Sequence, residues 1–455
     1  MRALMSRSRW TARRSALLLM LVLPPAFGLT ACGGADSSNS ITVLGTWTGE
    51  EEKGFLAMID GFEETTGLSV TYIGTRDADA VLASGLKNGN PPELAVLASP
   101  GELREQAAAG TLVSLDRALD RKQLVSDYKP TWLDLMQAKG PSGQPHFYAV
   151  IVKAALKSAI WYSPRNFPPP ARRVLTSPKL TWDRLNTLIE QLTATGRSPW
   201  CMGMEDTSNS GWPATDWVED IVLHHAGRDT YDGWVAGTVP WTSPPIRRAW
   251  ETFGRVIRSR PTGRGALRSL LLTNFGSAGQ PMFERPPGCF LEHQGSFITG
   301  FYARHEPRLA AAAKTHPQPG KDFDFVRFPP LSPGSERADQ VAGDLLAMFR
   351  DTPEARRLIA YLATPKAQAA WIRRPGSTAI SASHRVPSRL YPVAVSRRVA
   401  TALTEANEVR FDASDSMPPV MAAAFSRAVL EYVSDPSRLN HLLRQLDTVR
   451  TAGAG

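Results

Sequence analysis

The stretch from Ser198 to Trp217 concentrates side chains that could bind a polar ligand with a flat face. It sets three indoles, several hydroxyl groups and three carboxylates on one irregular connection, a mixture that suits neither a plain core nor a plain solvated loop. Sugar hydroxyls need hydrogen-bonding partners, and the C–H faces of a sugar stack on indole rings. The pattern therefore predicts a sugar site that includes Trp200, Trp212, Asp216 and Trp217. The alternative that the tryptophans only cover the end of a domain core remains open.

A helix is predicted to begin inside this stretch. Asp216 and Glu219 have the spacing of an N-cap residue and its N3 partner. The helix is expected to run to about Ala226 and to end at Gly227. Its first backbone N–H groups would face the loop, where they could donate hydrogen bonds to a ligand hydroxyl or an anion.

Length and composition limit the class of protein. A chain of 455 residues can form two or three domains with full cores, and 42% hydrophobic with 21% charged residues is ordinary for globular proteins. The net charge is +9, but five arginines in the first 31 residues supply more than half of it. Because no arginine-rich stripe with interleaved aromatics follows, we expect no nucleic-acid partner.

The first 31 residues have the pattern of an export signal. Residues 1–14 are basic, and residues 15–29 are largely apolar but interrupted by Pro24-Pro25, which favours a signal peptide over a membrane-spanning helix. The closing Leu29-Thr30-Ala31-Cys32 resembles the lipobox of bacterial lipoproteins. That resemblance implies that Cys32 is acylated and anchors the protein to the membrane, followed by a flexible tether to residue 40. The alternative is an ordinary secretory signal with a chance cysteine.

Two further cysteines, Cys201 and Cys289, are expected to form a disulfide because the protein is expected to be exported. No CxxC or HxxxH pattern accompanies them, so no metal site is predicted. The neighbouring His224 and His225 would face different directions on a helix and could not share an ion.

Residues 41–97 alternate between strand and helix patterns. Apolar strands at 41–44, 68–73 and 94–97 enclose two amphipathic helices. This β-α-β-α-β order predicts a doubly wound parallel sheet, whose ligands gather at the carboxyl ends of the strands. The candidate ligand-binding residues at those ends are Trp47, Thr48, Glu50, Arg76, Asp77 and Ser99. The glutamates at 50–52 have an alternative role, since acidic residues in the first turn of a helix complement its dipole.

Several motifs run in order through the mature chain: Gly45-Thr46-Trp47-Thr48-Gly49-Glu50-Glu51-Glu52, Gly89-Asn90-Pro91-Pro92-Glu93, Trp161-Tyr162-Ser163-Pro164, Gly211-Trp212-Pro213-Ala214-Thr215-Asp216-Trp217, Pro287-Gly288-Cys289 and Phe411-Asp412-Ala413-Ser414-Asp415. In them the chain resembles the extracellular solute-binding proteins of carbohydrate ABC importers, and most of all their α-glucoside branch. The resemblance implies an α/β fold of the periplasmic-binding-protein-like type II, as in maltose-binding proteins. In this fold each of two lobes is a sheet flanked by helices, and the ligand cleft lies between them.

The same resemblance implies three crossings between the lobes, near Lys157-Ser158, Gly343-Asp344 and Ala379-Ile380. The first lobe would comprise residues 41–157 and 344–380, and the second residues 158–343 and 381–450.

Further cleft residues are expected in these later segments: Lys153, Gln294, Phe297, Asp344, Arg410 and Asp412. Asp344 interrupts an apolar strand, so it must be paired or line the cleft, because an unpaired buried carboxylate is costly. Arg410 has an alternative role in a simple salt bridge. The chain departs from its family at Ala155, where related sequences often carry Asn or Asp.

These features predict a lipid-anchored receptor on the outer face of the cell membrane. It would bind an α-glucoside or oligosaccharide without a cofactor, close on it and deliver it to the transmembrane subunits of an ABC permease. Enzymatic activity is not expected, since nucleophile-elbow, metalloprotease and phosphate-loop motifs are absent from the sequence. The alternatives are a surface-anchored glycoside hydrolase, which needs two carboxylates across one sugar bond, and a purely structural lipoprotein.

Overall fold

The computed structural model describes residues 40–97, 99–194, 196–259, 264–304, 316–331, 338–405 and 409–453. The expected signal peptide, Cys32 and most of the tether lie outside the described residues. Among the helices in those ranges, none combines the length and apolar composition that crossing a bilayer requires.

The strands lie mostly in the first half of the chain. They are β1 Ser40–Gly45, β2 Ser69–Gly74, β3 Leu94–Leu97, β4 Gln137–Lys139, β5 Pro145–Phe147, β6 Ala149–Leu156, β7 Ala159–Tyr162, β8 Ser198–Trp200, β9 Cys289–His293, β10 Asp324–Arg327, β11 Asp339–Met348 and β12 Val409–Phe411.

The helices surround the sheets. They are α1 Glu50–Thr66, α2 Ala78–Lys87, α3 Pro100–Ala108, α4 Arg121–Asp127, α5 Pro130–Leu135, α6 Pro169–Leu175, α7 Trp182–Thr193, α8 Trp212–Ala226, α9 Arg228–Val235, α10 Pro244–Arg258, α11 Arg264–Leu272, α12 Phe275–Ala278, α13 Thr299–Tyr302, α14 Pro353–Leu362, α15 Pro365–Ile372, α16 Ala394–Glu405, α17 Ala413–Ser416, α18 Pro419–Ser434 and α19 Leu439–Ala452. Short 3-10 helices lie at Pro164–Asn166, Thr207–Asn209, Gln280–Phe283, Ser296–Ile298, Ser388–Leu390 and Pro436–Arg438.

The first sheet confirms the β-α-β-α-β prediction. β1 pairs in parallel with both β2 and β3, and the order is β12-β11-β3-β1-β2, with β6 also paired to β11. The sheet is mixed rather than wholly parallel, because β11 runs antiparallel to β3 and β6. Its carboxyl ends place the segments after β1 and β3 at the same edge.

The second sheet has the order β10-β7-β9-β8. β7 runs antiparallel to β9 and β10, whereas β8 and β9 are parallel. The predicted disulfide is confirmed: Cys201 and Cys289 are bonded across this sheet, at the end of β8 and the start of β9.

Two large hydrophobic cores accompany these two sheets. Within the described residues, the backbone passes between the first sheet and the second core at three crossings, although single side chains beyond them, such as Trp161, Phe275 and Tyr302, pack in the first core. Leu156 packs in the first core and Ile160 in the second, Ala338 in the second and Val341 in the first, Phe411 in the first and Ala413 in the second. The described residues from 379 to 404 and from 409 to 411 bury apolar side chains in the first core, and a bridge between Ala154 and Ile380 ties that segment to β6.

Helix α8 begins five residues earlier than predicted, with Gly211 rather than Asp216 at the N-cap position. Gly211, immediately before it, has φ 110° and lies so close to Ser426 O that a Cβ there would be 2.8 Å from it, so glycine is required at the turn. Pro213 follows in the first turn, where its missing N–H costs nothing. Asp216 is therefore not the N-cap but a buried interior residue, whereas the predicted end at Gly227 is confirmed.

Glu292 in β9 is fully enclosed by the protein. It is 2% exposed, and the hydroxyl of Tyr302 donates a hydrogen bond to its Oε2. Burial raises the pKa of Glu292 to about 8, because the charged form loses its hydration. This carboxyl group therefore keeps its proton at neutral pH.

We predict that Glu292→Gln reduces the pH dependence of stability. The folded protein holds this proton up to about pH 8, whereas the unfolded chain releases it near the ordinary value of 4.5. The stabilisation is therefore complete below about pH 4.5 and lost as the pH rises to about 8. The free energy of unfolding, measured with denaturant at several pH values across this window, should have a shallower slope against pH in the variant. Glu431→Gln, at an exposed pair with Arg438, is the control, and an unchanged slope in Glu292→Gln would contradict the prediction.

Candidate functional site

A cavity of about 700 Å³ lies where the two cores meet. One side is formed by the segment after β1, the starts of α2 and α3, and the strands β6 and β11. The other side is formed by the loop before α8, the first residue of α8, α12 and α18. The cavity thus lies at the carboxyl edge of the first sheet, where a mixed α/β fold is expected to bind ligands.

Trp47 forms one wall. Its side chain packs against Phe55 and Trp371 and is 1% exposed, while its Nε1 donates a hydrogen bond of 2.9 Å to Oδ2 of Asp344. The hydroxyl of Tyr72 donates to the backbone oxygen of Trp47 at 2.9 Å. The indole is therefore held rigidly, and its main role is to orient the carboxylate of Asp344 towards the cavity.

Lys153 on β6 lies at the floor of the cavity, next to the wall that Trp47 forms. Its Nζ is 2.6 Å from Oε1 of Glu51 and 3.4 Å from Oδ2 of Asp344. Burial lowers the pKa of Lys153, but the two carboxylates outweigh that effect and raise it above its ordinary value. Burial likewise raises the pKa of Glu51, and Lys153 lowers it by more. Lys153 and Glu51 are therefore both charged, and together with Asp344 they give the floor one donor group and several acceptors in a fixed array.

Lys157 forms a second ion-paired group on the opposite side. Its Nζ is 2.7 Å from Oδ2 of Asp216 and 3.1 Å from Oδ2 of Asp412, and it lies 4.6 Å from the centre of the Trp212 ring. Burial lowers the pKa of Lys157, but Asp216 and Asp412 raise it well above its ordinary value. Alternate residues of an extended chain face the same side, so Ala155 lies between the two lysines and presents only a methyl group there.

An aromatic wall, which packs against the first core, closes the cavity on the side of the loop before α8. Trp212 makes edge contacts with Phe275 at 5.0 Å and with Phe297 at 5.8 Å between ring centres. The Nε1 of Trp212 donates to Oδ2 of Asp206 at 2.9 Å. All three rings line the cavity; Trp212 and Phe297 are half-buried, so part of their apolar surface is available to a ligand, whereas Phe275 is buried behind them.

The start of α3 adds a carboxyl group to the rim. Ser99 caps this helix by accepting a hydrogen bond from the N–H of Glu102 at 3.2 Å, and its hydroxyl donates to the backbone oxygen of Asp415 at 2.6 Å. Burial raises the pKa of Glu102 to about 7, and the nearby Asp79 and Glu105 raise it further in the same direction. Glu102 can therefore donate or accept a hydrogen bond near neutral pH.

Half of the sequence-predicted ligand residues line this cavity: Trp47, Arg76, Ser99, Lys153, Trp212, Phe297, Asp344 and Asp412. They come from distant parts of the chain, and the fold brings them together.

Four of the other predicted residues lie away from this cavity. Trp200 and Trp217 pack against each other in the second core, with ring centres 4.7 Å apart. Gln294 is buried and accepts a hydrogen bond from the N–H of Gly295. Arg410 lies 2.7 Å from Asp232.

Three of the predicted residues lie near the cavity without lining it. Asp216 lies behind Lys157, and Asp77 precedes α2 with its Oδ1 3.5 Å from the hydroxyl of Ser208 on the opposite rim. Glu50 pairs with Lys53 at 2.7 Å and lines a neighbouring cavity of about 460 Å³. Thr48 lines neither of these two cavities.

Sequence reasoning missed Glu51, Lys157 and Phe275 as lining residues. Glu51 lies within three consecutive glutamates, and the pattern gave no reason to separate its role from dipole complementarity. Lys157 was placed at a crossing, but its pairing with Asp216 depends on contacts between distant segments.

Oxygen atoms of Asp216, Glu219 and Asp412 lie within 4.8 Å of one another, a spacing that could hold a metal ion. The ammonium group of Lys157 already contacts two of these residues. Because Lys157 supplies the compensating positive charge, the cluster is explained as a buried ion-paired network.

The fold matches solved receptors closely in shape. The bacterial solute receptor AcbH, which has an exclusive preference for β-D-galactopyranose, superimposes with a TM-score of 0.73 at 18% identity, over 91% of this chain and 98% of its own. The protein thus has the two-lobed, maltose-binding-protein-like type II fold that the sequence predicted.

Sequence relatives identify the family. The osmoprotective compounds-binding protein GgtB of Synechocystis sp. is 34% identical over 416 residues, 89% of this chain and 92% of the relative. The alpha-glucosides-binding periplasmic protein AglE of Rhizobium meliloti is 32% identical over 403 residues, 88% of this chain and 84% of the relative. No protein-family model matches the chain. The chain belongs to the family of ABC-transporter solute-binding proteins that these relatives represent.

We predict that Lys153→Met destabilises the protein by about 2–4 kcal/mol, because it leaves the half-buried carboxylates of Glu51 and Asp344 without their buried cation. Lys53→Met is the matched control, since Lys53 pairs with Glu50 in solvent and should cost about 1 kcal/mol or less. Denaturant unfolding measures both. Equal losses in the two variants would show that the Lys153 group contributes no more than a surface pair.

Proposed function

We propose that the protein binds a neutral sugar of the α-glucoside class in the cavity between its lobes and delivers it unchanged to the transmembrane subunits of an ABC permease. The main observation in support of this proposal is that one cavity is lined both by an aromatic wall and by two ion-paired lysine groups. The name of one relative, the alpha-glucosides-binding protein AglE, supports this class of ligand.

The chemistry of the walls suits a sugar. Trp212, Phe275 and Phe297 offer ring surface to C–H faces. The paired groups around Lys153 and Lys157 offer charged donors and acceptors, and hydrogen bonds to charged groups are stronger than those between neutral groups. A hydroxyl group can both donate to a carboxylate and accept from an ammonium group, so a polyol satisfies both kinds of partner.

The charge of the cavity favours a neutral ligand over an anionic one. Among the described residues that line it, eight carboxyl side chains face four cationic ones. The carboxyl side chains are Glu51, Asp79, Glu102, Glu105, Asp206, Asp344, Asp412 and Asp415, and the cationic ones are Arg76, Lys153, Lys157 and Arg427. Since two carboxylates compensate each lysine, neither lysine is available as a free partner for a phosphate or carboxylate group.

Capture of the ligand would proceed by lobe closure. Contacts made by both walls at once exist fully only when the lobes are shut, so a ligand that makes them shifts the population towards the closed form. The two rims already approach each other at Asp77 and Ser208. A permease could then distinguish loaded from empty receptor by shape.

We also propose that the protein acts outside the cytoplasmic membrane and is held there by acylation of Cys32. Membrane fractionation of the Cys32→Ala variant tests this anchor. The lipobox-like sequence before Cys32 and the disulfide between Cys201 and Cys289 support export. The alternative of a glycoside hydrolase requires an acid and a second carboxylate across a sugar bond. The relatives are named as binding proteins.

A thermal-shift screen tests the function directly. Maltose or trehalose at about 100 times its dissociation constant should add about 2.7 kcal/mol to the free energy of unfolding, whereas trehalose 6-phosphate should give a smaller shift. Chromatography of the sugar after incubation should recover it intact. Hydrolysis products would support the enzyme, and the absence of any shift across neutral disaccharides and longer α-glucans would reject the receptor.

We predict that Trp212→Ala weakens sugar binding by about tenfold or more, since stacking on an indole is lost from the cavity wall. Trp212→Phe is the matched control, because it keeps an aromatic face and should retain most of the affinity. Isothermal titration calorimetry measures both dissociation constants. An unchanged constant in Trp212→Ala would place the sugar elsewhere.

A further inference from the structure

One face of α8 is acidic although it is buried. Asp216, Glu219 and Asp220 have the i, i+3, i+4 spacing that aligns side chains on one side of a helix, and they are 2%, 0% and 0% exposed. Buried carboxylates are costly unless they are paired and hydrogen-bonded. Their partners therefore show what this acidic face is for.

The acidic face of α8 contacts all three segments that cross between the cores. Asp216 pairs with Lys157 at 2.7 Å, and Asp220 accepts a hydrogen bond from the hydroxyl of Ser158, both in the first crossing. Glu219 accepts from Nε2 of Gln340 in the second crossing.

The third crossing is held by the same residue. The backbone N–H groups of Ala413 and Ser414 donate to the carboxylate of Glu219 at 2.8 and 3.2 Å. Glu219 thus joins the second crossing to the third. One side chain ties together two segments that lie more than 70 residues apart in the chain.

The crossing segments also bind one another. The N–H of Lys157 donates to the backbone oxygen of Gln340 at 2.8 Å, and the N–H of Gln340 donates to the hydroxyl of Ser158 at 2.7 Å. The N–H of Asp412 donates to the oxygen of Val341 at 2.8 Å. The three segments therefore form one hydrogen-bonded bundle, which is fastened to α8 as a unit.

This bundle reaches the ligand cavity. Lys157 and Asp412 line the cavity and also belong to the crossings, while Trp212, the first residue of α8, lines it too. Glu219 does not line it. A ligand that contacts Lys157 or Asp412 therefore touches the bundle, and Glu219 lies behind it.

The acidic face is not uniform in charge. Burial raises the pKa of Asp220, but His224 and His293 outweigh burial and lower it. Burial raises the pKa of Glu219 well above its ordinary value, and Asp412 and Asp216 raise it further. Other charged or titratable groups packed around the cluster are Lys157, Tyr231, Asp339 with Arg327, and Asp415.

An uncharged amide can replace Glu219 with little disturbance. The Oε1 of Gln340 is buried and has no hydrogen-bond partner among the described residues. A Gln side chain at position 219 with its oxygen in the place of Oε2 still accepts from the N–H of Ala413 and from Nε2 of Gln340, and loses only the bond of 3.2 Å from Ser414. Glu219→Gln therefore keeps the connection, whereas Glu219→Ala removes it.

We propose that the acidic face of α8 is the anchor of the interlobe hinge, and that Glu219 is a positioning residue that sets the balance of open and closed lobes without touching the ligand. The proposal rests on the proposed function only for its effect on affinity. Its effect on lobe geometry is independent of any sugar.

The test measures lobe distance and affinity together. Dye labels at Asn88→Cys and Glu251→Cys, exposed positions on the two lobes, report interlobe distances by single-molecule fluorescence transfer, in a background with Cys32→Ala. Without sugar, Glu219→Ala should broaden the distance distribution, and Glu219→Gln should restore the wild-type distribution. With maltose or trehalose, Glu219→Ala should weaken binding by about tenfold, and Glu219→Gln should stay near wild type.

Controls separate the hinge role from general damage. Glu431→Ala, at an exposed pair on α18, should change neither readout. If Glu219→Ala does not fold, Gln340→Ala removes the same connection from the other end and should broaden the distances. A wild-type distance distribution in folded Glu219→Ala or Gln340→Ala, or broadening that Glu219→Gln fails to reverse, overturns the proposal. A wild-type protein that binds no sugar would overturn the proposed function but leave the distance test valid.

Discussion

The structure depends on two buried lysines that are each held between two carboxylates. Lys153 and Lys157 lie on one face of β6 and its extension, and each lies at the boundary of the cavity. A lysine this deeply buried is tolerated only because its carboxylates compensate its charge. The requirement fixes the positions of Glu51 and Asp344 on one side and of Asp216 and Asp412 on the other, so the cavity floor and the connection between the lobes are built from the same ion pairs.

Much of the fold was predictable because its signals are local. The alternation of strands and helices over residues 41–97 and the glycine ends of α1 and α8 follow from short-range patterns. The start of α8 was not predictable from capping rules, since Gly211 and its contact with Ser426 decide it. The packing of Ala379 and Ile380 in the first core next to β6 depends on long-range contacts, which no short pattern in the sequence reveals.

The candidate site was predictable in its chemistry but not residue by residue. Three tryptophans in one stretch indicated aromatic recognition, yet only Trp212 lines the cavity, while Trp200 and Trp217 pack in the second core. Sequence alone does not distinguish these indoles, because each is an apolar ring with one donor. The same holds for Asp216, which the sequence predicts as a helix cap and a ligand contact. In the structure Asp216 lies inside α8 and pairs with Lys157.

The composition of the second core also has a consequence for biogenesis. The second core needs Phe425, Val429 and Tyr432 of α18 near the end of the chain as well as Ile160 and Trp217 from its middle. A nascent chain cannot complete this core until almost the whole polypeptide has been made. Under the export proposed above, the chain would cross the membrane unfolded, and its second core would assemble only after the last helices had emerged.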